Sequence, residues 1–260
     1  MYFIDVQGTL ISDSDKSPLN GACELITHLN ESHTPYCIIT NNTKAKSDEF
    51  LSFLRGLGLG INDGAYIDPF CVLKSILGPC RAALFGADEF KKTMGALGYK
   101  QDLQNPQAVL IASGDNFGFD EFASMIELLQ NGAKLIAMHE TSVYKKHGRL
   151  YPGVGAICAM LEYATSTKAV AVGKPSKAYY QSALELIKAQ CKQDISFSDI
   201  TIISDDAKGD LVGAKAMGMK TALVLSGKVQ SLDKAGVDKS LIDAVYADVG
   251  EFLKLQLRNK

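Results

Sequence analysis

Short apolar runs that end in polar residues, alternating with amphipathic stretches, constrain this chain more than any other feature of it. YFID (2–5), PYCIIT (35–40), DITIIS (199–204), KTALVL (220–225) and AVYAD (244–248) read as strands. Between them, the stretch 21–32 puts Leu25, Ile26 and Leu29 on one helical stripe, and a second helix carries Phe50, Leu51 and Leu54 behind an expected cap of Asn41, Asn42 and Thr43. A further helix runs through 214–217. Strands that are apolar throughout, separated by helices, belong to a parallel sheet covered on both faces, so the expected class is α/β. The middle, roughly 67–171, repeats the pattern: AALFG, a helix near 88–97, AVLIA, a helix near 120–130, KLIAM, and a helix near 153–164. It is long enough to bury a core of its own and reads as an insertion between two halves of one sheet.

Composition removes several classes of function. Lys plus Arg number 27 and Asp plus Glu 29, a net charge of -2, which leaves no overall field for nucleic acid or an anionic membrane. No apolar run approaches the roughly 18 residues that would cross a bilayer. MYFIDVQGTL lacks a basic segment and turns polar at Asp5, unlike a signal peptide. The six cysteines are scattered without CxxC, so reduced thiols and a cytoplasmic setting are expected. GLGLGIN follows a helix and ends in Asn62 where a nicotinamide-binding loop needs glycine; GxxxxGK[ST] does not occur. His139 and His147 read as surface or cap residues rather than metal ligands. Lys145, Lys146, His147 and Arg149 read as a solvated basic loop or as a contact to a second anionic group of a substrate, and Asn116 and Phe117 are candidates to face a cleft.

Ligands of open parallel sheets sit at the carboxyl ends of the strands. Asp5 there is followed by Gln7, Gly8 and Thr9; Thr40 and Asn41 end the second strand; Lys174 follows AVAV (169–172); and Ser204 is followed by Asp205 and Asp206, with Asp210 beyond. Each alone is an ordinary turn or cap. In one sheet together, their carboxylates would repel unless a hard cation such as Mg2+ joined them, and that cation would attract phosphate oxygens. Lys174 would offset remaining charge, Gly8 would let backbone approach closely, Thr9 and Thr40 would donate hydrogen bonds, and Asp5 could attack phosphorus to form an aspartyl-phosphate.

FIDVQGTL, IITNNT, VGKPS and SDDAKGD, in this order, resemble the four motifs of the haloacid dehalogenase superfamily, and GRLYPGVGAICAMLEYAT resembles its NagD-like branch. The resemblance implies a Rossmann-like core (1–68 and 172–260), an inserted α/β cap (69–171), Mg2+ dependence and hydrolysis of a small phosphorylated metabolite. Carried over, Asp5 is nucleophile and metal ligand, Asp205 the second carboxylate ligand with Asp206 as the alternative in register, and Asp210 holds a metal-bound water or orients the loop. Thr40, Asn41 and Lys174 bind the phosphoryl group, and a homodimer through the cap is among the assemblies allowed. Gln7 departs from the motif. Its backbone carbonyl would still reach the metal, but the family's acid/base aspartate is missing, and such a group usually contributes about 10²- to 10⁴-fold. Three readings follow: a phosphatase that is slow or recruits another group such as Asp13, Asp15 or a cap residue; a degenerate phosphometabolite-binding or interaction module; and a phosphotransferase.

Overall fold

A computed structural model describes residues 1–114, 117–146 and 149–258. Its strands are β1 (Tyr2–Asp5), β2 (Tyr36–Ile39), β3 (Tyr66–Ile67), β4 (Arg81–Phe85), β5 (Lys100–Gln101), β6 (Ala108–Ile111), β7 (Lys134–Ala137), β8 (Val143–Lys146), β9 (Arg149–Pro152), β10 (Ala169–Ala171), β11 (Thr201–Ser204), β12 (Lys220–Val224) and β13 (Ala244–Tyr246). The helices are α1 (Ala22–Glu31), α2 (Ser47–Gly56), α3 (Pro69–Ile76), α4 (Asp88–Ala96), α5 (Phe119–Gln130), α6 (Val154–Thr165), α7 (Lys177–Cys191), α8 (Val212–Ala216) and α9 (Val249–Arg258). None of them is long and apolar enough to cross a membrane. The chain divides into two compact units, one of Met1–Thr40, Asp48–Ile67 and Tyr180–Lys260, the other of Asn41–Ser47 and Asp68–Tyr179.

The first unit is built on a six-stranded sheet in the order β13-β12-β11-β1-β2-β3. Every pairing in it is parallel. Parallel strands must be covered on both faces, which is why β1 and β2 carry almost nothing but apolar side chains. On one face Ile4, Ile38 and Ile203 pack with Leu25 and Ile26 of α1 and with Phe252 and Leu253 of α9. On the other, Phe3 stacks on Tyr180 of α7, ring centroids 6.0 Å apart. Register sets the functional edge: Ile4 lies beside Ile203, so Asp5 and Ser204 leave the sheet side by side.

The second unit has its own all-parallel sheet, β10-β7-β6-β4-β5. Val109, Ile111, Leu135 and Ala137 face Met125, Leu128 and Leu129 of α5 and Ile157 and Leu161 of α6. Two expectations fail here. AVAV does not return to the first sheet: β10 pairs with β7, Ala171 beside Ala137, so Lys174 follows a strand of the second sheet and the polar ends do not share one sheet. The expected basic loop includes two antiparallel strands, β8 with β9; β9 is exposed at Arg149, Leu150 and Pro152, so no apolar alternation marks it in the sequence. Asn42, expected in the cap of α2, closes a turn just ahead of it: its Oδ1 accepts the N–H groups of Lys44 and Ala45 at 3.2 and 3.4 Å.

Candidate active site

The carboxyl edge of the first sheet gathers acidic residues from two neighbouring strands. Asp5, at the end of β1, is 5% exposed, Asp205, just past β11, is 1% exposed, and Asp210 is 4% exposed. A threonine links the first two. Thr9 Oγ1 donates to Asp5 Oδ2 at 3.5 Å and accepts the Asp205 N–H at 3.1 Å. Thr9, expected to serve a phosphate, thus already bridges the two loops. Gly8 has φ +75°, and a Cβ there would collide with Asp205 Oδ2; the close approach that glycine permits is to that carboxylate.

Asp205 and Asp206 have different partners. Asp206 Oδ1 accepts the Gly209 N–H at 2.8 Å at the head of a π-type turn over Ala207–Leu211, and its Oδ2 pairs with Lys228 Nζ at 2.5 Å. Asp205 Oδ2 accepts the Lys228 N–H at 2.6 Å, while its buried Oδ1 has no hydrogen-bond partner. Burial first, and the Asp5 charge second, push the Asp205 carboxyl up to about 8. Asp210 accepts from Ser204 Oγ at 2.7 Å. Beneath them Tyr180 is driven well above its ordinary range by burial and by the charges of Asp210, Asp5 and Asp206.

This arrangement fits a hard divalent cation. A buried carboxylate oxygen without a partner, beside a second buried carboxylate, is costly unless protonated or met by a cation. Among the described residues no three His, Cys, Asp or Glu side chains form a ready-made metal cage. A cation at Asp5 and Asp205 would therefore draw on backbone oxygen and water as well, as Mg2+ commonly does.

Gln7 is half-buried, and its Oε1 accepts from Thr40 Oγ1 at 3.1 Å. The amide is held in place with no group beside it in this bond that titrates near neutrality. Asp13 and Asp15 lie on an exposed turn, where hydrogen bonds from Ser12 and Ser17 hold the Asp15 carboxyl below its usual range. A carboxylate so stabilised is a poor proton donor at neutral pH.

Asn41 and Lys174 belong to the second unit and hold each other. The Lys174 N–H donates to Asn41 Oδ1 at 2.8 Å and Asn41 Nδ2 donates to the Lys174 carbonyl at 3.3 Å. The neighbouring strand end carries His139, which lies in the second unit, is buried and bonds Ser113 Oγ through Nε2 at 2.9 Å, so of the two settings expected for it only the surface one is excluded. Phe117 packs on Phe122, and Arg149 is exposed; Asn116 and His147 fall outside the described residues. The sequence reading missed the turn after β12. Ser226 Oγ donates to the Gly8 carbonyl at 2.7 Å, Gly227 lies against Gly8 and Asp205, and Lys228 binds both aspartates. The signal was present: Ser-Gly-Lys directly follows an apolar strand.

Comparison with known proteins agrees with this picture. Residues 2–100 match a family model described as haloacid dehalogenase-like hydrolase, and residues 171–252 match a HAD-hydrolase-like model. The haloacid dehalogenase-like hydrolase domain-containing protein 2 of Pongo abelii is 30% identical over 238 residues, covering 90% of this chain and 87% of its own. The human phospholysine phosphohistidine inorganic pyrophosphate phosphatase is 28% identical over 238 residues, covering 89% of this chain and 84% of its own. In structure, NagD from E. coli K-12 aligns with a TM-score of 0.74 at 22% identity, over 96% of both chains, which shows a shared fold.

Proposed function

This chain belongs to the haloacid dehalogenase-like hydrolase family, and on that premise we propose that it is a Mg2+-dependent phosphatase of small phosphorylated metabolites that acts through an aspartyl-phosphate on Asp5. The observation that carries this reading is the unpartnered, buried Asp205 Oδ1 beside the second carboxylate. The phosphatase named among its relatives supports it.

Asp5, Asp205 and the Gln7 carbonyl would hold the cation, which when bound supplies positive charge against the phosphoryl oxygens. Asp5 attacks phosphorus: its oxygen–phosphorus bond forms as the bond to the leaving oxygen breaks, and that oxygen departs with the electron pair. Thr9 keeps Asp5 and the Asp205 loop in register. Lys174 and Asn41 are assigned to phosphoryl binding by their motifs. Gln7, held by Thr40, can orient a leaving oxygen or a water but cannot give or take a proton, which favours substrates whose leaving groups are stable as anions and slows hydrolysis of the aspartyl-phosphate.

The test is p-nitrophenyl phosphate, whose leaving group needs little protonation. Turnover is expected to require Mg2+ and to fall to background in Asp5→Asn. Phosphate binding without turnover would favour the degenerate-module reading, and nitrophenol release accelerated by added alcohols would favour a phosphotransferase.

A further inference from the structure

Asp205 is restrained on every side but one. Its N–H is tied to Thr9, its Oδ2 to the Lys228 N–H, and its Oδ1 alone is left. The turn that supplies the Lys228 N–H is itself fixed. Ser226 Oγ holds the Gly8 carbonyl, and a Cβ on Gly227 would collide with both Gly8 and Asp205 Oδ2. Lys228 then sends its ammonium to Asp206, so one residue restrains two adjacent aspartates, one with its main chain and the other with its side chain.

We propose that Lys228 is a positioning residue for cation binding: its ion pair with Asp206 fixes the turn that occupies Asp205 Oδ2, so that Asp205 presents Oδ1. The inference rests on the metal-dependent reading above. Charge alone argues the other way. An ammonium beside an acidic site repels a cation, and its removal should tighten binding. Positioning predicts weaker binding, because loss of the outer partners of metal ligands typically costs about 10- to 100-fold in affinity. The two accounts differ in sign.

Isothermal calorimetry with Mg2+ alone separates them without reference to catalysis. Lys228→Met is expected to bind about tenfold more weakly or worse. Lys228→Arg, which keeps the ion pair, is expected to recover most of the loss. The double variant Lys228→Met/Asp206→Asn is expected to be no weaker than the sum of its parts allows, with a coupling that marks the pair as one device. Should Lys228→Met fail to fold, Lys228→Gln carries the same expectation. Binding by Lys228→Met as tight as in the wild-type protein, or tighter, overturns the inference and leaves the phosphatase reading standing. Wild-type protein that takes up no Mg2+ overturns both.

Discussion

The two parallel sheets of this protein end in opposite ways. At the carboxyl edge of the first, Asp5, Asp205 and Asp210 are buried within reach of one another's charge, and one oxygen has nothing to bind. At the carboxyl edge of the second, the groups answer each other: Asn41 takes both backbone groups of Lys174, and Ser113 takes His139. Architecture is the same and the hydrogen-bond balance is not. An edge whose main-chain groups are paired by a side chain holds its loop in place, whereas buried carboxylates with an unpaired oxygen favour a cation.

The largest expected effect that sharpens this contrast is at Gln7. Gln7→Asp puts a titratable group beside Thr40 and is expected to raise phosphatase turnover by about 10²-fold or more, with a greater gain for alkyl phosphates than for p-nitrophenyl phosphate. Steady-state kinetics on both substrate types checks it; no gain would mean that the missing acid/base group is not what limits this enzyme. At the second edge, Asn41→Ala removes the side-chain acceptor of the Lys174 N–H, while the Lys174 carbonyl keeps the Glu140 N–H. It is expected to destabilise the second unit by about 1–3 kcal/mol while leaving Mg2+ heats unchanged. Hydrogen exchange around β10 reads the first and calorimetry the second.

A smaller effect separates the edges by pH. Asp205 is raised from 3.8 to about 8 in the folded protein, so between those values the fold holds a proton that the unfolded chain has released. Metal-free stability from this group is full below the lower value and is lost as pH rises through the upper. Melting temperature should decline across that window, and Asp205→Asn should flatten the decline. Mg2+, taking the proton's place, should stabilise more at pH 8 than at pH 5. A Mg2+ shift that shrinks with rising pH would break the account.

Much of this was legible in the sequence, and the reasons are local. YFID and IIS are buried strands whatever surrounds them, and the acids behind them have nowhere to go but the carboxyl edge. The assignment of AVAV to the first sheet failed because three small apolar residues satisfy either sheet equally; only the partner β7 decides. The different partners of Asp205 and Asp206 were not legible because they come from Lys228, a residue more than twenty positions on whose reach no spacing rule specifies. Thr9 was legible as a hydrogen-bonding residue at the site, but its links to Asp5 and Asp205 were not.

The most direct test of the central claim is to quench the wild-type protein during turnover of p-nitrophenyl phosphate with Mg2+ and map the phosphorylated peptide by mass spectrometry. A phosphoryl group on Asp5, accumulating because Gln7 cannot activate water and vanishing when Gln7→Asp speeds its hydrolysis, is the expected result. Turnover with the label on another residue, or with Asp5→Asn retaining full activity, would contradict it.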